Sequence, residues 1–405
     1  MMGLFQFPIR ALPSGGVAVA GAIDGPAGNT IGGGLRYDLP NLRKKLADVA
    51  SNAGECIIGI IGDSHNLAVG GGVSGTYLLV DACKYAPGFV AGRKLAGSLG
   101  IPVTDDGWWG WRGYNTLVTL DQFDSRTVTT GTWTSTSSSN TGLGSGALRE
   151  TSGSGTYTYT AKRNWDKAEI WVQQNTGATG TLVASATGAT SVPLTLLGGA
   201  AALTKFTITK SAVNANPLVL TCSVAMSAYV GVAAINFIDS TQAAVRIQNH
   251  AMSGKKMTDH VVASHPYSNL NAYQTAGIAA DVLLVECLHN SILAAAETLE
   301  VWLASWETFL AAMDTATRDI IVYIGYPGNY TWATDGTMDT WIAALKVKLD
   351  ARGINMFDLR DIYGAAWADG NAEGLMYDSG HPNKRGLALY GAKMGRDLLE
   401  LSAPW

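Results

Sequence analysis

The sequence predicts an α/β protein in three layers, a parallel central sheet with helices on both faces, carrying an inserted all-β sandwich. Three observations lead there. Apolar strand-like runs alternate with helical periodicity over residues 36–114 and again over 241–405. Between them, residues 115–240 hold short strand-like runs split by Gly and Asn clusters and no helical segment. The polar residues best suited to chemistry directly follow apolar strands, where parallel sheets place their sites.

The elements follow in order. Residues 1–35 are rich in Gly and Pro and read as an extended N-terminal arm. Leu39, Leu42, Leu46 and Val49 recur at helical spacing over 37–50, with Asp38 as N-cap and Pro40 in the first turn. A buried strand is expected at 56–61 and a helix at 87–99, with Phe89, Leu95 and Leu99 on one side. Ser, Thr and Gly dominate residues 125–160, and strands are expected at 168–172, 205–210, 217–224 and 229–238, as in a jelly-roll-like sandwich. Strands and helices then alternate again. A helix is expected over 292–312 (Leu299, Leu303, Trp306 and Leu310 on one stripe), a strand at 320–324, a helix at 338–350, a strand at 354–359 and a closing helix at 386–399. Such alternation implies a parallel sheet buried on both faces.

Bulk composition narrows the function. At 405 residues the chain has room for two or three domains, and 47% apolar content supports a sizeable core. A net charge of −4 gives no basic face for nucleic acid. No run of about 18 apolar residues occurs, so no membrane span is expected. The 15% charged fraction, with many Gly, Ser and Thr, suits an extracellular or particle-bound β-rich protein. Pro13 and several glycines interrupt the apolar residues after Arg10, so no signal peptide is read. Cys56, Cys83, Cys222 and Cys287 form no Cys-x-x-Cys pair. Cys56 and Cys287 are expected as buried thiols, with a Cys56–Cys83 disulfide left open.

Two short segments carry the chemistry. Gly62-Asp63-Ser64 ends the run Cys56–Ile61, and Asp378 precedes His381-Pro382 by three residues. A serine hydroxyl needs a neighbouring base to become a nucleophile, and a carboxylate fixes which nitrogen of a histidine acts as that base. One C-terminal loop can deliver both partners to a serine at a strand end.

These motifs resemble the SGNH (GDSL-type) hydrolase family, in which the serine follows Gly-Asp and the dyad reads Asp-x-x-His-Pro. Two intermediate blocks match in order. Asn249-His250-Ala251-Met252-Ser253-Gly254 fits the second, with Gly254 in the oxyanion position; Leu288-His289-Asn290-Ser291 fits the third, keeping Asn290 while Leu288 and Ser291 replace Gly and Asp. The resemblance covers residues 56–110 and 242–400. It implies a flavodoxin-like three-layer core formed by 36–114 and 241–405, with 115–240 inserted. It also implies Ser64 as nucleophile, His381 as base and Asp378 as its partner. The oxyanion donors are then Ser64, Gly254 and Asn290.

Around this set, His65, Trp108, Trp109 and Trp111 are candidate substrate contacts. The histidines His250, His260 and His265 show no ligand spacing, so no metal or other cofactor is expected. The expected activity is a serine esterase acting on small acyl groups, O-acetyl on a carbohydrate above all. A lipase or thioesterase of the same family, and an inactive glycan-binding adhesin, are the alternatives. The arm and the β-rich insertion look like bacteriophage tail-associated esterases, which points to an extracellular or virion-associated protein. Virion attachment or homo-oligomer formation would then involve the arm.

Overall fold

The computed structural model describes residues 37–66, 86–104, 127–131, 133–135, 148–150, 155–222, 230–252, 254–293, 297–333 and 335–402. The N-terminal arm, Cys83, Trp108, Trp109 and Trp111 lie outside the described residues.

The chain opens with α1 (Pro40–Ala50), β1 (Cys56–Ile61), α2 (Pro87–Leu99) and β2 (Val103–Thr104). Ten strands follow: β3 (Thr127–Thr130), β4 (Trp133–Ser135), β5 (Leu148–Glu150), β6 (Thr156–Tyr159), β7 (Trp165–Gln174), β8 (Thr179–Ser185), β9 (Val192–Leu197), β10 (Ala202–Asn214), β11 (Leu218–Cys222) and β12 (Val230–Ile238). The α/β pattern then resumes with β13 (Val245–Asn249), α3 (Met257–His260), α4 (Asn269–Gln274), β14 (Val282–Val285) and α5 (His289–Ile292). It closes with α6 (Leu299–Met313), β15 (Asp319–Ile324), α7 (Thr337–Asp350), β16 (Asn355–Asp358), α8 (Arg360–Tyr363), α9 (Trp367–Ala372) and α10 (Lys384–Ser402).

Six strands form one sheet in the order β16-β15-β14-β1-β13-β2, and every pairing in it is parallel. The chain runs from β1 outward in both directions, so the strand order reverses beside β1. Ligands of such sheets bind at that reversal, beyond the carboxyl ends of the strands. Alternate residues serve opposite faces, as the pleat requires. Val282 and Leu284 join Ile58, Ile321 and Tyr323 under α1, α2 and α10. Leu283 and Val285 join Val322 and Ile324 under α6 and α7. Burial on both faces explains why β14 reads Val-Leu-Leu-Val without a polar residue.

The strands β3 to β12 form two five-stranded antiparallel sheets, β10-β7-β12-β5-β4 and β3-β6-β11-β8-β9. Tyr157, Tyr159, Leu182 and Leu220 from one sheet meet Ile170, Ile208 and Phe237 from the other in a single core. The inserted sandwich expected from the sequence is therefore present. One face of β7 supplies that core, and its other face turns Trp171 into the α/β core.

Two helix starts differ from expectation. Leu39, not Asp38, occupies the N-cap of α1, because Pro40 is the first helical residue; Asp38 pairs with Arg43 instead. The helix expected from 292 begins at Leu299, where the Thr298 side chain accepts the Val301 N–H. The apolar spacing runs on upstream because α5 is a separate short helix ending at Ile292. Among the described residues no helix is long and apolar enough to cross a membrane. Cys56 and Cys287 are buried free thiols and Cys222 is buried; burial raises the Cys56 and Cys287 pKa values far above the ordinary range.

Candidate active site

The first wall of the site is the turn after β1. Neighbouring strands grip it: the His250 N–H donates to Ile60 O (2.7 Å), Glu286 N–H to Ile61 O (2.9 Å) and Met252 N–H to Gly62 O (2.8 Å). Gly62 is required by close approach, since a Cβ there would collide with the Asn66 side chain and lie 2.9 Å from Glu286 O. Ser64 follows with only 6% of its surface exposed. Its Oγ lies 3.1 Å from His381 Nε2, and His381 Nδ1 lies 3.1 Å from both oxygens of Asp378. Hydroxyl, imidazole and carboxylate thus touch in series.

The second wall is the loop between α9 and α10. Asp378 Oδ1 accepts the N–H groups of Gly380 and His381, both at 2.7 Å. The Trp367 indole donates to Asp378 O (2.9 Å), and Asn329 N–H donates to Ser379 O (2.8 Å). Burial alone would raise the Asp378 pKa, but the Gly380 N–H and the His381 ring hold it below the ordinary value. Burial, reinforced by the positive field of His65, lowers the His381 pKa, so this imidazole is a free base at neutral pH.

Gly254 and Asn290 lie on the segments that follow β13 and β14, the two neighbours of β1. Gly254 is exposed, with φ of 69° and open space where a Cβ would stand. Asn290 sits inside α5, and its amide donates to Asp63 Oδ2 (2.9 Å) and to Lys255 O (3.1 Å). The residue thus straps the turn after β1 to the Gly254 loop.

His65, a candidate substrate contact in the sequence, is buried at 1% exposure. Its Nε2 meets Gly380 O at 2.8 Å, and its Nδ1 lies 3.1 Å from Asp63 Oδ1 and 3.5 Å from Glu286 Oε2. Asp63, His65 and Glu286 are the group among the described residues with ligand atoms close enough to share a cation. His250 and His260 serve structural networks instead: Tyr273 OH lies 2.7 Å from His250 Nδ1, and the Asn269 amide 2.8 Å from His260 Nδ1. Burial lowers the His260 pKa to about 4. Sequence reasoning assigned no role to Glu286, Asn329 or Trp367. Glu286 left a signal, as a lone carboxylate in the apolar run Val282–Leu288 that burial obliges to find a partner.

Solved structures share this architecture. A peptidoglycan O-acetylesterase superposes with a TM-score of 0.64 at 16% identity, covering 89% of this chain and 96% of its own. The fold is that of the SGNH hydrolases. Two other matches are the protein YxiM of Bacillus subtilis and a family two carbohydrate esterase of Clostridium thermocellum. The first has a TM-score of 0.35 at 12% identity, covering 73% of this chain and 98% of its own. The second has 0.27 at 10% identity, covering 68% and 97%. No family model and no curated protein matches the sequence.

Proposed function

We propose that this chain is a serine esterase that removes small acyl groups, O-acetyl above all, from a carbohydrate. The observation that carries the reading is the unbroken contact series Ser64 Oγ, His381 Nε2, His381 Nδ1, Asp378. In the first half-reaction Ser64 Oγ bonds to the ester carbonyl carbon while its proton passes to His381 Nε2. The tetrahedral intermediate collapses, the sugar oxygen leaves with that proton, and an acyl-serine remains. Water then attacks the acyl carbon, gives a proton to Nε2, and the carboxylate product departs as Ser64 Oγ regains a hydrogen.

The oxyanion is held by the N–H groups of Ser64 and Gly254. Asn290 joins them when its amide exchanges Lys255 O for the developing charge. Each such donor contributes about 3 kcal/mol to the transition state. The choice of carbohydrate is supported by the sandwich seated beside the α/β core and by the likeness to a peptidoglycan O-acetylesterase.

A fluorophosphonate probe is expected to label Ser64, as read by peptide mass spectrometry. Ser64→Ala should lower acetate release from p-nitrophenyl acetate by about 10⁴-fold or more. Acetyl esters should be preferred over octanoyl esters. Labelling at another residue, or an active Ser64→Ala, refutes the esterase; glycan binding without acetate release from the wild type selects an adhesin.

A further inference from the structure

We propose that His65 is a positioning residue: its imidazole, backed by Asp63 and Glu286, clamps the Gly380 carbonyl and so sets the loop that presents His381 to Ser64. The proposal rests on reading Ser64, His381 and Asp378 as the esterase site.

The proton count follows from the partners. Gly380 O can only accept, so Nε2 of His65, 2.8 Å away, carries a hydrogen. The other nitrogen faces two carboxylates, Asp63 Oδ1 at 3.1 Å and Glu286 Oε2 at 3.5 Å. A lone pair there would be repelled by the ionised Asp63, the nearer of the two, so Nδ1 also carries a proton and the ring is an imidazolium. Burial works against that charge, but Asp63 and Glu286 outweigh it and raise the His65 pKa well above its ordinary value. The same contacts hold Asp63 ionised, as its lowered pKa requires. A cation is a poorer occupant than this proton, because both Asp63 oxygens already accept N–H groups, one from His65 and one from Asn290.

The ring has little freedom to turn. Tyr326 lies 4.1 Å from it between centroids, and His289 5.1 Å away in an edge contact. His65 therefore fixes the carbonyl one residue before His381 and also places a permanent positive charge 5.7 Å from the His381 ring. The ionisable groups facing His65 are Asp63, Glu286, His289, Tyr326 and His381, and those facing His381 are Asp378, His65 and Asp63. Of these, His65 is the one that keeps the base unprotonated.

Two variants separate clamp from charge. His65→Gln keeps an N–H for Gly380 O but drops the charge, whereas His65→Leu drops both. On p-nitrophenyl acetate, His65→Leu should lower kcat by about 30-fold with KM within about twofold, and His65→Gln by less than about fivefold. Both should shift the acid limb of kcat/KM to higher pH, which a merely structural residue would not do. An unmoved limb in both variants, or wild-type kcat in His65→Leu, overturns the proposal. Wild-type protein labelled with ¹⁵N-histidine guards against variants that fail to fold. Both His65 ring nitrogens should be protonated at neutral pH, and an unprotonated Nδ1, or a stoichiometric bound metal, refutes the clamp. If Ser64→Ala is inactive while both His65 variants behave as wild type, the clamp alone fails. If Ser64→Ala is active, the underlying esterase reading fails.

Discussion

Asp63, Ser64 and His65 are consecutive, yet only the serine reaches His381, while its neighbours turn into a buried charge cluster with Glu286. Within that cluster, burial and then the Asp63 charge raise the Glu286 carboxyl to about 7 from an ordinary value of 4.5. The folded protein thus keeps a proton that the unfolded chain has released, and the Glu286 contribution to stability falls as pH rises from about 4.5 to 7. The upper limit is about 1.4 kcal/mol per pH unit. His260, His289 and His381 slope the other way below 6.5, because their folded pKa values are lowered. Comparison with a neutral isostere cancels them. Glu286→Gln should therefore gain stability relative to wild type as pH rises through this window, measured by urea unfolding at several pH values. Parallel curves for the two proteins would mean that Glu286 is ionised in the fold.

The element that most depends on its neighbours is the loop between α9 and α10, which has no regular structure of its own beyond a Met376–Pro382 bridge. The Trp367 indole holds it at Asp378 O, directly behind the carboxylate that touches His381. Trp367→Phe deletes that donor and keeps most of the ring. About 1 kcal/mol of positioning is lost with such a bond, so kcat should fall about fivefold while KM and the melting temperature change little. An unchanged kcat would show the loop holds its place without the indole. The segments that meet at Ser64 and His381 were legible because each motif is local: Gly62-Asp63-Ser64 and Asp378 to His381 are short segments whose spacing is itself the signal. The strands β1, β14 and β15 were legible as apolar runs, whereas β13 and β16 carry polar residues and β2 is two residues long. The supports were not, because the His65–Gly380 contact spans 315 residues and the Asn329–Ser379 bond joins different loops. Asn290 was read at a strand end, but four residues separate it from β14 and it lies in α5. Helix starts slipped where capping competes with periodicity, as at Leu39 and Thr298.

At the scale of the molecule, the question is whether the sandwich is an independent body or continuous with the α/β core. Trp171 answers in structural terms: it lies on β7 of the sandwich, is 1% exposed, and packs with Tyr267, Leu270 and Tyr273 of the α/β core. Its indole donates to Ala276 O at 2.9 Å, and Tyr267 OH returns a bond to Gln174 O at 2.6 Å. Two bodies that share a buried tryptophan and reciprocal hydrogen bonds should unfold together, since exposing either uncovers the other's apolar surface. Wild-type protein is thus expected to unfold in urea in one transition seen alike by fluorescence and far-UV dichroism. Trp171→Ala removes the shared side chain and should cost about 3–5 kcal/mol of coupling, enough to split the curve into two steps. The folded variant should keep its kcat on small esters, because Trp171 is not among the contacts of Ser64, His381 or Asp378. Two wild-type transitions, unchanged in Trp171→Ala, would make the sandwich a separate body resting on the α/β core. Its contact with the α/β core would then carry no weight in choosing a polymeric substrate.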